Sequence, residues 1–204
     1  MERCRSSPGS AALLVAVLAA VLAACGHDDL QEPADVREYH GEPSRVVCGQ
    51  RWSLDRRSLV CNQRLFFALE ELRPFSLLEG LTLENAALIT DGAPFPGIRN
   101  LQLSRARLLD ARSLRWFPST TELAIDETLV DYATLGELDR LRYLSLWKVS
   151  PPAASQLAAI PSLESVDLVH LRCPHKGCAM ALARELHALR PTVTIRVDGI
   201  ELRW

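Results

Sequence analysis

The sequence predicts an α/β fold in which short parallel strands stack side by side to form a solenoid. One supporting observation is a pattern with Leu, Ile or Val at its fourth and sixth positions, which recurs mostly at intervals of 20 to 22 residues. The other is composition: the 204 residues are 48% hydrophobic and 24% charged, which is ordinary for a chain that buries a core. The formal charge of −2 gives no basic excess for binding phosphate backbones, so nucleic acid is excluded as a partner class.

Six units of the pattern can be aligned on their apolar positions. The fourth positions hold Leu81, Leu101, Leu123, Leu144, Val166 and Ile195, at spacings of 20, 22, 21, 22 and 29 residues. The sixth positions hold Leu83, Leu103, Ile125, Leu146, Leu168 and Val197. Because alternate residues of a strand share a face, these side chains would all point to one side of a sheet. One unit cannot bury that face alone, so we expect about six units to stack in register.

This pattern resembles that of leucine-rich-repeat proteins over roughly residues 78–202. The resemblance implies a short leucine-rich-repeat-like solenoid, residues 78–204, whose parallel sheet lines a concave surface. In that family the ninth position often carries Asn or Cys, whose side chain bonds to backbone groups inside the turn. Here that position holds Ala86, Ala106, Thr128, Val149, Leu171 and Ile200. We therefore expect no polar ladder, and short irregular segments in place of long helices on the convex side.

The first 24 residues have the layout of a secretory signal. Arg3 and Arg5 precede an apolar run over 11–24, which as a helix would be only about 21 Å long and too short to span a bilayer. Leu22-Ala23-Ala24-Cys25 resembles the lipobox of bacterial lipoproteins. The resemblance implies a Cys25 acylated by chains such as palmitate and anchored at the cell envelope, with Gly26 favouring the outer membrane. A simple cleaved signal with an incidental cysteine is the alternative.

Two further segments precede the repeats. Residues 25–45 are polar and contain Pro33 and Pro43, which predicts a flexible tether with the folded body beginning near Val46. Residues 46–77 predict an N-terminal cap, because a terminal repeat would otherwise expose one side of the core. The cap would contain two β-prone pieces around Gly49 and a helix over 63–72. One face of that helix would carry Leu65, Phe66, Leu69 and Leu72.

A closing helix is predicted at the other end of the solenoid. Leu182, Leu186 and Leu189 have helical spacing within residues 179–189, and Pro191 follows them.

Four cysteines remain in the predicted exported body, where the oxidising location favours disulfides. Cys48 with Cys61, and Cys173 with Cys178, are the nearest pairs in sequence and would each fasten one end of the body. Unpaired thiols remain an alternative. Metal binding by Cys173 and Cys178 together with His175 is another.

The face of the sheet opposite the core is the predicted binding site. Polar residues dominate it, but the fourth strand presents Tyr143 and Trp147, which would be flanked by Glu122, Asp126 and Asp167. Aromatic side chains bordered by carboxylates suit a Lys- or Arg-bearing protein surface, or a glycan. The alternative is that Trp147 lies under a neighbouring loop or simply covers the sheet.

We predict a non-enzymatic protein-binding or scaffolding module without cofactor or metal. A hydrolase of envelope glycans is the alternative, because Asp126 and Asp167 would be roughly 9–10 Å apart, near the carboxylate separation of inverting glycosidases. Ser145, Asp167 and His170 also suggest a nucleophilic triad, but Ser145 lacks the strand-to-helix turn that such a nucleophile uses. A structural spacer without a specific ligand is the third possibility.

Overall fold

The computed structural model describes residues 37–39, 42–62, 67–89, 93–108 and 113–204. The predicted signal segment, Cys25 and most of the predicted tether lie outside these residues. No helix within the described ranges is both long and apolar enough to cross a membrane.

Short strands make up most of the regular structure in the described ranges. In chain order they are β1 (Arg37–Tyr39), β2 (Glu42–Val47), β3 (Gln50–Ser53), β4 (Ser58–Asn62), β5 (Phe67–Ala68), β6 (Gly80–Glu84), β7 (Ala87–Ile89), β8 (Asn100–Ser104), β9 (Arg107–Leu108), β10 (Glu122–Asp126), β11 (Tyr143–Trp147), β12 (Ser165–Val169), β13 (Thr194–Val197) and β14 (Ile200–Glu201). The helices in the same ranges are three 3₁₀ segments, Leu69–Leu72, Ser113–Trp116 and Tyr132–Glu137, and two α-helices, α1 (Ala154–Ala158) and α2 (Cys178–Leu189).

The N-terminal strands form an antiparallel sheet of β1, β2 and β3. Cys48 and Gly49 connect β2 to β3 with φ values of 54° and 73°, the left-handed pair that a two-residue type I′ hairpin requires. Strands therefore begin inside residues 25–45, and the prediction that the body begins near Val46 is wrong. Strand β1 pairs with β2 through backbone hydrogen bonds, from Arg37 beside Ser44 to Tyr39 beside Glu42. The sequence does not reveal this strand, because the segment is polar and has no apolar alternation.

The repeats form the main sheet, whose strand order is β14-β13-β12-β11-β10-β8-β6-β4. The strands from β4 to β13 are parallel, and the fourth-position residues of the six units pair directly with one another across neighbouring strands. All twelve side chains at the fourth and sixth positions are at most 8% exposed. The predicted parallel sheet and its buried face are confirmed.

This sheet contains two strands in addition to the six predicted repeat strands. β4 belongs to the range assigned to the cap, yet it pairs in parallel with β6, with Leu59 beside Leu81 and Cys61 beside Leu83. The pattern did not reveal β4 because Arg56 occupies the position three residues before Leu59. β14 pairs antiparallel with β13 at the other edge.

The predicted helix over 63–72 is wrong within its described part. Phe67–Ala68 is strand β5, which belongs to a small parallel sheet with β7 and β9, and only Leu69–Leu72 is helical, as one 3₁₀ turn. Leu69 and Leu72 are still fully buried, because residues three apart lie on the same side of a 3₁₀ helix. Leu65 and Phe66 lie outside the described residues.

Helix α2 forms at the predicted place near the C-terminus and packs beside strand β13. Leu182 and Leu186 are buried, but Leu189 is 54% exposed and does not share their contact with the core. The next residue, Arg190, donates hydrogen bonds to the carbonyl oxygens of Ala158 (3.1 Å) and Ile160 (3.0 Å). These bonds fasten the end of α2 to the segment that follows α1.

The expectation that no polar ladder exists is wrong at one repeat. The Thr128 hydroxyl oxygen accepts a hydrogen bond from the Ala106 amide at 3.0 Å and donates one to the Asp126 carbonyl at 2.9 Å. Thr128 is only 2% exposed, so its short side chain provides one buried polar link between neighbouring repeats.

A candidate binding surface on the open face of the sheet

We call the side of the main sheet opposite its core the open face. It is formed by the first, third and fifth residues of each five-residue strand, and its central part is residues 100, 102 and 104 of β8, 122, 124 and 126 of β10, and 143, 145 and 147 of β11. A groove of about 470 Å³ crosses this face from Val60 on β4 to Arg196 on β13. Small residues, among them Gly80, Ala124 and Ser145, line it. A ligand in the groove could therefore approach the sheet backbone closely.

All five predicted ligand-binding residues lie on the open face, but only three of them line the groove. Glu122, Tyr143 and Asp167 are among its lining residues. Asp126 and Trp147 lie at the carboxyl ends of β10 and β11, four residues beyond Glu122 and Tyr143 on the same strands. The strand register places Glu122 beside Tyr143 and Asp126 beside Trp147. The structure thus divides the predicted site into two carboxylate–aromatic pairs.

Tyr143 is 43% exposed, and its ring is in contact with the preceding residue, Arg142. The Arg142 guanidinium carbon lies 5.5 Å from the centroid of the Tyr143 ring. Arg142 also donates two hydrogen bonds to Glu164, at 2.7 and 2.8 Å. These bonds hold the pKa of the Glu164 carboxyl below its usual value, with a smaller contribution from a hydrogen bond to Tyr143. The Arg142–Glu164 pair was not anticipated, because both residues precede the strands that define the repeat pattern.

Trp147 is 45% exposed, so the interpretation that a neighbouring loop buries it is wrong. Its indole N–H donates a 2.6 Å hydrogen bond to the Ser145 hydroxyl on the same strand. The side chain therefore lies along the surface of β11, with nearly half of its area available to a partner.

The three predicted carboxylates have different surroundings. Asp167 forms an ion pair with Arg196 at 3.4 Å. Asp126 accepts a hydrogen bond from the Ser104 hydroxyl through Oδ2 at 2.9 Å, whereas its Oδ1 is covered and has no hydrogen-bond partner. Within the described residues, the exposed Glu122 carboxylate has neither an ion-pair nor a hydrogen-bond partner. Glu122 and Asp126 are therefore anions of the open face that no cation of the described chain neutralises.

A line of charged residues runs beside the open face where the strands end. Each repeat strand is followed by one residue in the left-handed region, with φ between 47° and 51°, and we call these six residues the rim: Asn85, Arg105, Glu127, Lys148, His170 and Asp198. Ion pairs connect the rim to adjacent repeats: Arg105 with Glu84 at 3.1 Å, and Lys148 and Arg172 with Glu127 at 3.5 and 3.8 Å. His170 lies 3.4 Å from Asp198.

The geometry disfavours the hydrolase alternative. Asp126 and Asp167 are separated by two strands and also by two residues along the strand direction, because Asp167 is in register with Ala124. Strand spacing and rise then give roughly 12 Å between their backbones, more than the sequence suggested. Asp167 is in addition paired with Arg196.

The triad and metal alternatives also lack the required contacts. The Ser145 hydroxyl accepts the Trp147 indole N–H, and the His170 imidazole lies against Asp198, not Asp167. In the described part of the chain, no three His, Cys, Asp or Glu side chains meet in an arrangement that could hold a metal ion.

The four cysteines are joined in the predicted pairs. Cys48 is linked to Cys61 and Cys173 to Cys178, with Cα–Cα distances of 5.2 and 5.8 Å. The first disulfide ties the β2–β3 hairpin to strand β4. Closing its loop contributes about 3 kcal/mol in the chain-entropy picture.

Comparisons with known proteins give only distant structural similarity. No protein-family model matches the sequence, and no curated protein matches it. An internalin (inlF) from Listeria monocytogenes is 16% identical with a TM-score of 0.42, and the match covers 72% of this chain and 50% of that one. An internalin C2 (inlC2) from the same organism is 16% identical with a TM-score of 0.36, and the match covers 69% of this chain and 80% of that one. This chain thus spans half the length of the first protein, and similarity of this degree does not assign it to a family.

Proposed function

We propose that this chain is an envelope-anchored lipoprotein whose leucine-rich-repeat-type solenoid binds a protein partner through the open face, without enzymatic activity. The observation that carries the binding role is the exposure of Tyr143 and Trp147 on one strand. They lie beside Glu122 and Asp126, which have no cationic partner among the described residues. Aromatic side chains on a rigid strand bury much area at small entropic cost when a partner docks.

The anchor is proposed from the sequence. Arg3 and Arg5, the apolar run over 11–24 and Leu22-Ala23-Ala24-Cys25 occur in the order typical of a lipoprotein signal. A Cys25→Ser variant should leave the membrane fraction of a bacterial host, because several acyl chains supply the anchoring energy. A variant that remains in the membrane fraction would contradict the anchor while leaving the binding role intact.

Site-specific cross-linking tests the binding role. The full-length chain would carry a photoreactive residue at Gln102, in the groove, or at Glu185, on the exposed side of α2. We expect one defined protein adduct from position 102 in native envelopes and none from position 185. The adduct should fall about tenfold in Tyr143→Ala and Trp147→Ala variants, since aromatic residues at such sites carry much of the binding free energy.

Two results would contradict this proposal. One is an adduct that forms equally from both positions or survives both alanine variants. The other is the absence of an adduct from position 102, which would favour a structural spacer.

A further inference from the structure

We infer that the open face recognises an extended basic segment of its partner, in which two cationic side chains are four residues apart. This inference rests on the proposed function, because it specifies the chemistry of the partner that the open face binds.

The register of β10 and β11 supplies the geometry. Glu122 lies beside Tyr143 and Asp126 lies beside Trp147, so the same kind of pair occurs twice at equivalent positions. Between the pairs, Ala124 faces Ser145, and these small side chains leave room for a peptide backbone. The two pairs are four residues apart on each strand, roughly 13 Å, which is also the distance between side chains i and i+4 of an extended ligand. A segment lying along the two strands would therefore place one side chain on each pair.

The composition of each pair selects a cation. A carboxylate accepts charge-assisted hydrogen bonds from guanidinium or ammonium groups, and the adjacent aromatic ring attracts the same groups through its electron-rich face. The chain contains an example of this recognition, because Arg142 lies over Tyr143 while bonding to Glu164. The bonds of Arg142 to Glu164 direct this arginine towards β12, whereas Glu122 lies on the other neighbouring strand, β10. Glu122 is therefore a carboxylate beside Tyr143 that this arginine does not neutralise.

The charge of this central block favours a basic peptide over a neutral glycan. Within the described residues, neither Glu122 nor Asp126 has a cationic partner. Glycan hydroxyls could hydrogen-bond to these carboxylates, but only a cationic ligand would also balance their charge when it covers them. On the neighbouring strand, Asn100 and Gln102 present amides that can bond to a peptide backbone.

Synthetic peptides with controlled spacing test the inference. The probe is the blocked peptide Gly-Ser-Arg-Thr-Ser-Thr-Arg-Ser-Gly, and its affinity for the full-length chain is measured by titration calorimetry at low salt. Moving the two arginines next to each other should weaken binding about fivefold, since only one pair is then filled, and replacing both by glutamine should abolish it. Glu122→Gln and Asp126→Asn should each weaken binding about fivefold or more, whereas Glu185→Gln removes an equal charge on α2 and should have no effect.

A charge-exchange variant distinguishes a loss of recognition from a loss of folding, because it is expected to gain a new ligand. A double variant with Glu122→Arg and Asp126→Arg, checked by its thermal unfolding midpoint, should bind Gly-Ser-Glu-Thr-Ser-Thr-Glu-Ser-Gly and no longer the arginine peptide. Equal affinity for the two arginine spacings, or unchanged affinity in Glu122→Gln, would overturn the inference. If the adduct from position 102 still depends on Tyr143 and Trp147 while no basic peptide binds, this inference fails and the proposed function stands.

Discussion

The open face and the rim both carry carboxylates on the same repeats, but these carboxylates have different partners. Glu127 on the rim lies within ion-pair distance of Lys148 and Arg172, and the rim residue Arg105 pairs with Glu84. Asp126 immediately precedes Glu127 in the chain, yet neither it nor Glu122 meets a cation among the described residues. Adjacent residues of one repeat thus differ completely in electrostatic surroundings.

The difference follows from where each side chain finds its neighbours. Rim residues lie at equivalent turns of successive repeats, where charges of opposite sign alternate along the stack, as with Arg105, Glu127 and Lys148. Open-face residues meet whatever occupies the same register on the next strand, and for Glu122 and Asp126 those neighbours are Tyr143 and Trp147. The rim charges are therefore paired and stabilise the stack. On the open face, Glu84 and Asp167 are paired as well, whereas Glu122 and Asp126 meet no cation among the described residues.

The largest expected effect is on the buried row that supports the open face. Leu144 is 2% exposed and Tyr143, the next residue toward the N-terminus, is 43% exposed. Leu144→Ala should lower the free energy of unfolding by about 3 kcal/mol, because it removes buried methyl groups and leaves a cavity. Tyr143→Ala should cost less than about 1 kcal/mol while weakening partner binding. Urea denaturation of both variants measures the contrast, and equal losses would contradict the assignment of Tyr143 to binding.

A smaller effect on the free energy of unfolding distinguishes a rim carboxylate from an open-face carboxylate. Glu127→Gln should lower the free energy of unfolding by about 0.5 kcal/mol, since it removes two partly exposed ion pairs, and the loss should shrink at high salt. Glu122→Gln should leave stability unchanged, because the carboxylate that it neutralises has no cationic partner in the described structure. A stability loss in Glu122→Gln as large as that in Glu127→Gln would remove the distinction between face and rim.

The sequence predicts the stacked strands well because their physical cause is local. Strict alternation at Leu101, Leu123 and Leu144 determines which face is buried, and near-constant spacing determines the register. Prediction from the sequence fails where a segment takes its structure from a contact with another segment. Pairing of β1 with β2 orders a polar stretch, and pairing of β5 with β7 draws Phe67 and Ala68 out of a helical pattern.

The binding surface is predictable only in part for the same reason. Alternation shows that Tyr143, Trp147 and the three carboxylates face away from the core. It does not show that Asp167 meets Arg196, which follows from the register of β12 with β13 across a 29-residue interval. Nor does it show the rim ion pairs, which depend on left-handed turns at residues such as Glu127 and Lys148, where no glycine marks the conformation.

Mapping the arginine peptide onto the isotope-labelled full-length chain by NMR tests the contrast between open face and rim most directly. We expect the largest changes in backbone amide shift on β10 and β11. The Trp147 indole N–H signal, assigned with a Trp147→Phe variant, should also move, because the bound peptide disturbs its 2.6 Å hydrogen bond to Ser145. The amides of Arg105, Glu127 and Lys148 should remain near their starting positions. Shift changes that are largest along the rim, with β10 and β11 unaffected, would contradict the assignment of peptide binding to the open face.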